Sequence, residues 1–457
     1  MTKPMTLHHP SHSGAGAATL AQANEVHNEL KKALLVDGFD FVMDLEASRG
    51  VWLADARTGK KYLDLFTFFA SSPIGFNHPK LMTPEVQREF AVAATHKPSN
   101  SDLYTIPMAE FVKTFREKAM PPGFRYAFFI EGGALAIENA LKVAFDYKVR
   151  ANFRKGATHE VGSQIVHFRN AFHGRSGYTL SLTNTLPDKI NYFPKFCWPR
   201  LDTPGLSFPV TKEVEGCVAA EEQRILGQLN WLGEKHGDDI AAVIIETIQA
   251  EGGDVHFRKE FLQGLRDACD RFDWLLIFDE VQAGFGLTGK MWAFQHYGVE
   301  PDIVAFGKKS QVCGIMARTT VDKVPDNVFH VPSRINSTWG GNLVDMVRCK
   351  HYLNIMHEDK LVENAARVGE RLLRGVEKIQ AEFPNKIWNA RGRGLMCAFT
   401  FHNPKDRGTF LDNMLERHAI ILPCGPASIR FRPALTISAD EIDEGLRLTR
   451  ESIAALA

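Results

Sequence analysis

The chain has 457 residues, a formal net charge of zero, 44% hydrophobic residues and 24% charged residues. This balance leaves no basic footprint for nucleic acid or a membrane surface, and the length implies one large domain with one or two smaller units. Seven cysteines (Cys197, Cys217, Cys269, Cys313, Cys349, Cys397 and Cys424) stand singly without a CxxC pair, which argues against a disulfide framework or a metal site and for a reducing, cytoplasmic setting.

The first twenty or so residues are rich in His, Ser, Gly and Ala and contain no apolar run. They do not read as a signal peptide, and mobility is expected there. The segments Val51–Asp55 and Tyr62–Leu65, separated by the polar turn Thr58–Lys61, predict two strands of a small N-terminal β element. From about residue 75, short apolar strands alternate with longer amphipathic stretches. Strands are predicted at Tyr126–Ile130, Ile165–Phe168, Ala242–Ile245, Trp274–Phe278 and Ile303–Phe306, and Ile137, Leu141 and Phe145 recur at helical spacing after the first of them. The apolar runs are strand-length, so no membrane span is expected. Strands separated by helices imply a parallel sheet covered on both faces. Beyond about residue 345, a helix near Val344–His357 opens a mixed region that reads as an α+β unit. The expected division is 1–75 as the N-terminal part of a small domain, 76–344 as the large domain and 345–457 as the C-terminal small domain.

In open α/β sheets ligands gather at the C-terminal ends of the strands, and four such ends carry residues of interest. After Ile130, Glu131-Gly132-Gly133-Ala134 opens a helix whose first N–H groups can meet a phosphate, although many such junctions hold no ligand. After Phe168, Phe172-His173-Gly174-Arg175 offers an aromatic ring for stacking, or a core phenylalanine and a surface charge. After Phe278, Asp279 is a carboxylate at the end of an apolar strand, suited to a pyridinium N–H or to capping the next helix. After Phe306, Gly307-Lys308-Lys309 offers a Schiff-base lysine or two solvated surface lysines. The four features together, in this order, favour a pyridoxal 5′-phosphate enzyme.

The run Ile277–Gly289, which begins Ile277-Phe278-Asp279-Glu280-Val281-Gln282, and the following Pro301–Lys308 resemble the signature of the class III (ω-amino acid) aminotransferases, over a match from about residue 40 to the end. The resemblance implies fold type I, an α/β architecture. A large domain with a mostly parallel seven-stranded sheet would be joined by a small α+β domain built from the N- and C-terminal segments. It also implies roles. Lys308 would be the Schiff-base lysine and the base that shifts the proton, and Asp279 would hold the pyridine nitrogen. Gln282 would bond the ring hydroxyl, Phe172 and Val281 would flank the ring, and Gly133 and Ala134 would bind the phosphate. Thr338, in Asn336–Asn342, would reach the cofactor of the other subunit, which makes the expected assembly a homodimer with shared active sites. Arg430 would grip the carboxylate of 2-oxoglutarate, and Glu251 would gate that arginine.

Within the family, Phe306–Gly314, Arg334–Asn342 and Phe172–Thr185 look most like members that act on the ε-amino group of L-lysine. By that resemblance Arg175 would hold the donor carboxylate and Asn336 would line the pocket, along with the Ser310–Gly314 loop. Counting from Pro301-Asp302 selects Lys308 over Lys309, and on an extended strand end the two would point to opposite sides. The expected reaction moves the ε-amino group of L-lysine to 2-oxoglutarate. The rivals are a sister ω-aminotransferase acting on ornithine, acetylornithine, 4-aminobutyrate or a diamine, and a pyridoxal-phosphate mutase or racemase.

Overall fold

The described chain opens with a helix, Gly16–Lys31, followed by three short strands: β1 (Met43–Arg49), β2 (Trp52–Asp55) and β3 (Lys61–Asp64). The computed structural model describes residues 16–456, with side chains from residue 22. Most of the N-terminal segment expected to be mobile lies outside the described residues. Strands β2 and β3 pair antiparallel around the expected polar turn. The strand β1, whose residues alternate apolar and polar (Met43-Asp44-Leu45-Glu46-Ala47-Ser48) but stay mostly exposed or half-buried, was not foreseen from sequence.

Seven strands form the large sheet: β4 (Phe124–Ile130), β5 (Gln164–Phe168), β6 (Arg200–Leu201), β7 (Ile240–Glu246), β8 (Leu275–Asp279), β9 (Ile303–Phe306) and β10 (Cys313–Arg318). Their order is β4-β10-β9-β8-β7-β5-β6. Every residue of β7 is buried. Val243 and Ile245 face one core cluster, and Ala242 and Ile244 face another. A period of two with both faces apolar is the signature of a central strand covered by helices on each side. The helix Gly133–Arg154 supplies Ile137, Leu141 and Ala144 to the second cluster.

The seven-stranded sheet is mostly parallel, as expected, with one antiparallel member. β10 runs antiparallel to both β4 and β9. The chain reverses through Gly307–Val312 directly after β9, with Lys308 and Gln311 at positive φ. It then inserts between β4 and β9, which leaves those two strands parallel to each other. Cys313 and Gly314, expected in a pocket loop, are therefore the first residues of a buried strand. Gly314 is required there, since a Cβ would lie 2.3 Å from the carbonyl oxygen of Phe128.

The C-terminal part contains β11 (Ile387–Arg393), β12 (Met396–Phe401), β13 (Ala419–Ile420), β14 (Leu422–Cys424) and β15 (Ser428–Phe431). Strands β11, β12, β15 and β14 form one antiparallel sheet, while β13 pairs in parallel with β3. The C-terminal chain thus completes the N-terminal sheet. The joint to the large sheet is ionic. Arg432, just past β15, donates to both carboxylate oxygens of Asp254 in the loop after β7, one bond measuring 2.9 Å. Both side chains are fully buried. A bidentate guanidinium–carboxylate pair is strong but expensive to desolvate, and removing one partner strands the other charge. Arg432→Met is expected to destabilise the protein by about 3–5 kcal/mol, read as a lower urea midpoint; an unchanged midpoint would show that the pair does not hold the joint.

Candidate active site

Three neighbouring strands deliver charged residues to one edge of the sheet. Glu246 ends β7 and is the register partner of Asp279, which ends β8. Lys308 follows β9 by two residues. The segment after β5 brings Phe172, His173 and Arg175, and the helix after β4 starts at Gly133. These groups meet in a cavity of about 250 Å³ lined by Gly133, Ala134, Phe172, His173, Gly174, Arg175, Glu246, Glu251, Asp279, Val281, Gln282 and Lys308.

The start of the Gly133 helix is open. Gly132 caps it at a φ of 94° and offers no side-chain bond. The first backbone N–H groups therefore have no intrahelical acceptor and face the cavity with the positive end of the helix dipole. Packing is close here, since a Cβ on Gly133 would sit 3.1 Å from Val281 Cγ1 and that side chain would have to give way. Gly174 is tighter still, with a φ of 117° and a hypothetical Cβ 2.6 Å from Ala134 Cβ.

Asp279 is 5% exposed. One carboxylate oxygen accepts the Val281 N–H at 3.0 Å, and the other meets His173 Nδ1 at 2.7 Å. Glu246 accepts the N–H groups of Phe172 (2.9 Å) and Ala250 (3.0 Å). Burial raises its pKa, and the neighbouring Asp279 adds to the rise. Burial likewise lowers the pKa of Lys308 against the opposing pull of Asp279, which favours the neutral, nucleophilic amine.

Of the doubled lysines only Lys308 reaches the cavity, through a local geometry other than the one expected. Lys308 and Lys309 lie in a 3₁₀ turn, Lys308–Ser310, and not on an extended strand end. Lys308 lines the cavity, while Lys309 is 2% exposed and donates to the carbonyls of Gln282 (2.6 Å) and Ala70 (3.3 Å). Gln282 also has a second engagement. Its Oε1 accepts from Arg430 Nη1 at 3.1 Å and from Arg432 Nε at 3.2 Å, which leaves its NH₂ to donate into the site. Arg430 is 4% exposed, and its Nε has no partner among the described residues. Glu251 pairs with Lys189 and accepts from Thr185 Oγ1 at 3.0 Å. Arg175 is exposed at the mouth of the cavity. Asn336 and Thr338 are exposed on the loop after β10 and stand outside this cavity.

His173, Glu246 and Lys309 were not singled out from sequence. His173 adjoins Phe172 in a motif already noted, and Glu246 follows a predicted strand by one residue, so the strand-end rule could have found both. Nothing in the sequence distinguishes a buried Lys309 from a solvated one.

These residues suit pyridoxal 5′-phosphate: an open helix start for a phosphate, a buried carboxylate for a ring nitrogen, apolar Phe172 and Val281 for ring faces and an amine aimed inward. They form the site of an enzyme that works on amines. The sequence profile of the aminotransferase class-III family matches residues 36–453, and the chain belongs to that family. It is 50% identical over 435 residues to the L-lysine-epsilon aminotransferase of Mycobacterium tuberculosis strain H37Rv, covering 94% of this chain and 95% of that protein. A solved lysine aminotransferase from M. tuberculosis, in the internal aldimine form, superposes with a TM-score of 0.93 at 49% identity, over 95% of this chain and all of that one. The 4-aminobutyrate aminotransferase of Schizosaccharomyces pombe is 32% identical over 429 residues, covering 89% of this chain and 88% of that protein.

The burial of Lys309 gives a test. Burial, helped by Lys308 and Arg432, puts its pKa well below the ordinary 10.5, so over that interval the unfolded chain binds more protons than the folded one. Stability of the parent should therefore rise relative to Lys309→Met as pH rises, by up to about 1.4 kcal/mol per pH unit. Urea unfolding at about pH 7 and pH 9 checks this. A constant gap between the two proteins would mean that Lys309 stays charged when folded.

Proposed function

We propose that this enzyme transfers the ε-amino group of L-lysine to 2-oxoglutarate, giving 2-aminoadipate 6-semialdehyde and L-glutamate, with pyridoxal 5′-phosphate as cofactor. The carrying observation is the gap between 50% identity to a lysine-epsilon enzyme and 32% to a 4-aminobutyrate enzyme, joined to two separate guanidinium groups, Arg175 on the site cavity and Arg430 on a second cavity that shares Glu251 with it. Donor and acceptor each bring a carboxylate, and a guanidinium fork binds carboxylate in a bidentate geometry.

When bound, the cofactor supplies an electrophilic carbon and a ring that spreads negative charge. The residues do the rest. The helix start at Gly133 and Ala134 holds the phosphate through backbone N–H groups. Asp279, oriented by His173, keeps a proton on the ring nitrogen. The Gln282 NH₂ donates to the ring hydroxyl. Phe172 and Val281 hold the ring plane. The Lys308 amine removes a proton from the carbon that carries the departing amino group and later returns it to the site. Arg175 takes the α-carboxylate of the lysine donor, with Asn336 near it. Arg430 takes a carboxylate of 2-oxoglutarate, and Glu251 decides when that arginine is free.

The same reading makes the enzyme a homodimer with shared sites, Thr338 serving the partner's cofactor. Neighbouring exposed apolar residues support it. Leu103, Tyr104 and Ile106 are 71%, 79% and 76% exposed. They adjoin a largely apolar surface groove of about 580 Å³ formed with Val92, Leu343 and Val347.

Titration of the purified holoenzyme with L-lysine should remove its long-wavelength cofactor absorbance and release a semialdehyde that a piperideine-trapping reagent captures. Lys308→Ala should cut steady turnover by at least about 10²–10⁴-fold. Indifference to lysine alongside a response to ornithine or 4-aminobutyrate would transfer the assignment to a sister ω-aminotransferase.

A further inference from the structure

Glu251 stands between two cations and is engaged by only one of them. Its backbone is fixed beside the strand hairpin that carries Arg430, because the Gly425 N–H donates to the Glu251 carbonyl at 2.8 Å. Its carboxylate nevertheless turns the other way, to Lys189 Nζ and to Thr185 Oγ1. Arg430 is left with Gln282 as side-chain acceptor and with a buried Nε that has no partner among the described residues. Lys189, Glu251 and Arg430 all border one cavity of about 340 Å³. Lys189 itself ends the short turn Pro187–Lys189, with Nζ 5.5 Å from the centroid of the Phe172 ring.

A carboxylate that borders the same cavity as an incompletely satisfied buried guanidinium would ordinarily be drawn to pair with it. We propose that Lys189 is a specificity-determining residue that holds Glu251 away from Arg430, so that Arg430 is kept open for the carboxylate of a dicarboxylate acceptor. This rests on the reading of Arg430 as the acceptor grip. The Lys189–Glu251 pair suits a holding role and not a permanent lock. The two side chains are 31% and 17% exposed, and a pair of that kind biases an equilibrium only modestly. Glu251 can leave it when a donor without a second carboxylate enters, and rotation of one side chain then carries the charge to Arg430.

Glutarate, a dicarboxylate without a keto group, reports on this without turnover. Its binding to the holoenzyme is measured by isothermal titration calorimetry in the parent, Lys189→Met, Glu251→Gln and the double variant. Lys189→Met is expected to weaken glutarate binding about five-fold, because the released Glu251 competes for Arg430. In the Glu251→Gln background the same substitution is expected to have no effect, since the competitor is gone. The proposal is overturned if Lys189→Met binds glutarate as tightly as the parent, or if the loss is equal in both backgrounds, which would make Lys189 a simple electrostatic attractor. Arg430→Met run alongside separates the underlying reading. Glutarate binding that survives it removes Arg430 as the grip and takes the proposal with it. Binding that Arg430→Met abolishes and Lys189→Met leaves intact overturns the role of Lys189 alone.

Discussion

The buried pair between Arg432 and Asp254 fixes where the C-terminal chain meets the sheet edge, and the geometry of the site follows from it. Arg432 sits two residues beyond Arg430, and both guanidinium groups reach Gln282 Oε1. The Arg432 backbone also accepts from Thr67 Oγ1 at 2.6 Å and donates to the Leu65 carbonyl at 2.7 Å. The N-terminal segment, the C-terminal sheet and the loop after β8 are thereby locked in one arrangement. The cost appears as backbone strain. Thr67, Phe68, Phe69 and Ala70 all have positive φ, between 42° and 65°. Such a run costs roughly 1–2 kcal/mol per residue and persists only where surroundings over-determine it. Here they do. Asp64 accepts the N–H groups of Phe66 and Thr67, and Lys309 and Gln311 donate to the Ala70 and Ser71 carbonyls. The strained turn sets the Phe69 ring 5.9 Å from the Arg430 guanidinium.

Burial also sets the electrostatics. Asp279 and Glu246 are register partners on adjacent strands, a like-charge pair that water does not screen. His173 stands against Asp279, and the backbone donors of Phe172 and Ala250 stand against Glu246, so the two carboxylates are held by different groups. This division leaves Asp279 directed to the cavity that Lys308 enters. The amine opposite it is pushed toward neutrality by the same desolvation that raises Glu246. One physical cause thus acts on both groups, favouring the neutral form of each.

Much of the architecture was legible from periodicity. The central strands are continuous apolar runs because both faces are covered, and the Gly133 helix declared itself by Ile137, Leu141 and Phe145. β10 was not legible. Its six residues include a glycine, follow a tight turn and match the antiparallel insertion only through contacts with strands far away in sequence. β1 was missed although Met43, Leu45 and Ala47 alternate with polar residues; the alternation is short, weakly apolar and mostly exposed. Around the site, strand ends pointed to Asp279 and Lys308 because chemistry there depends on local position. The partners of Gln282, Glu251 and Lys309 depend on Arg430, Lys189 and Ala70, which lie from 62 to 239 residues away. No spacing rule connects such residues, and only the folded arrangement does.

Which nitrogen leaves the donor separates ε-amino transfer from α-amino transfer. The direct measurement supplies the holoenzyme with 2-oxoglutarate and L-lysine carrying ¹⁵N at either the ε- or the α-position, and weighs the glutamate formed. Label reaching glutamate from the ε-position and not from the α-position is the predicted result. Label arriving from the α-position, or unlabelled glutamate from both, would contradict it.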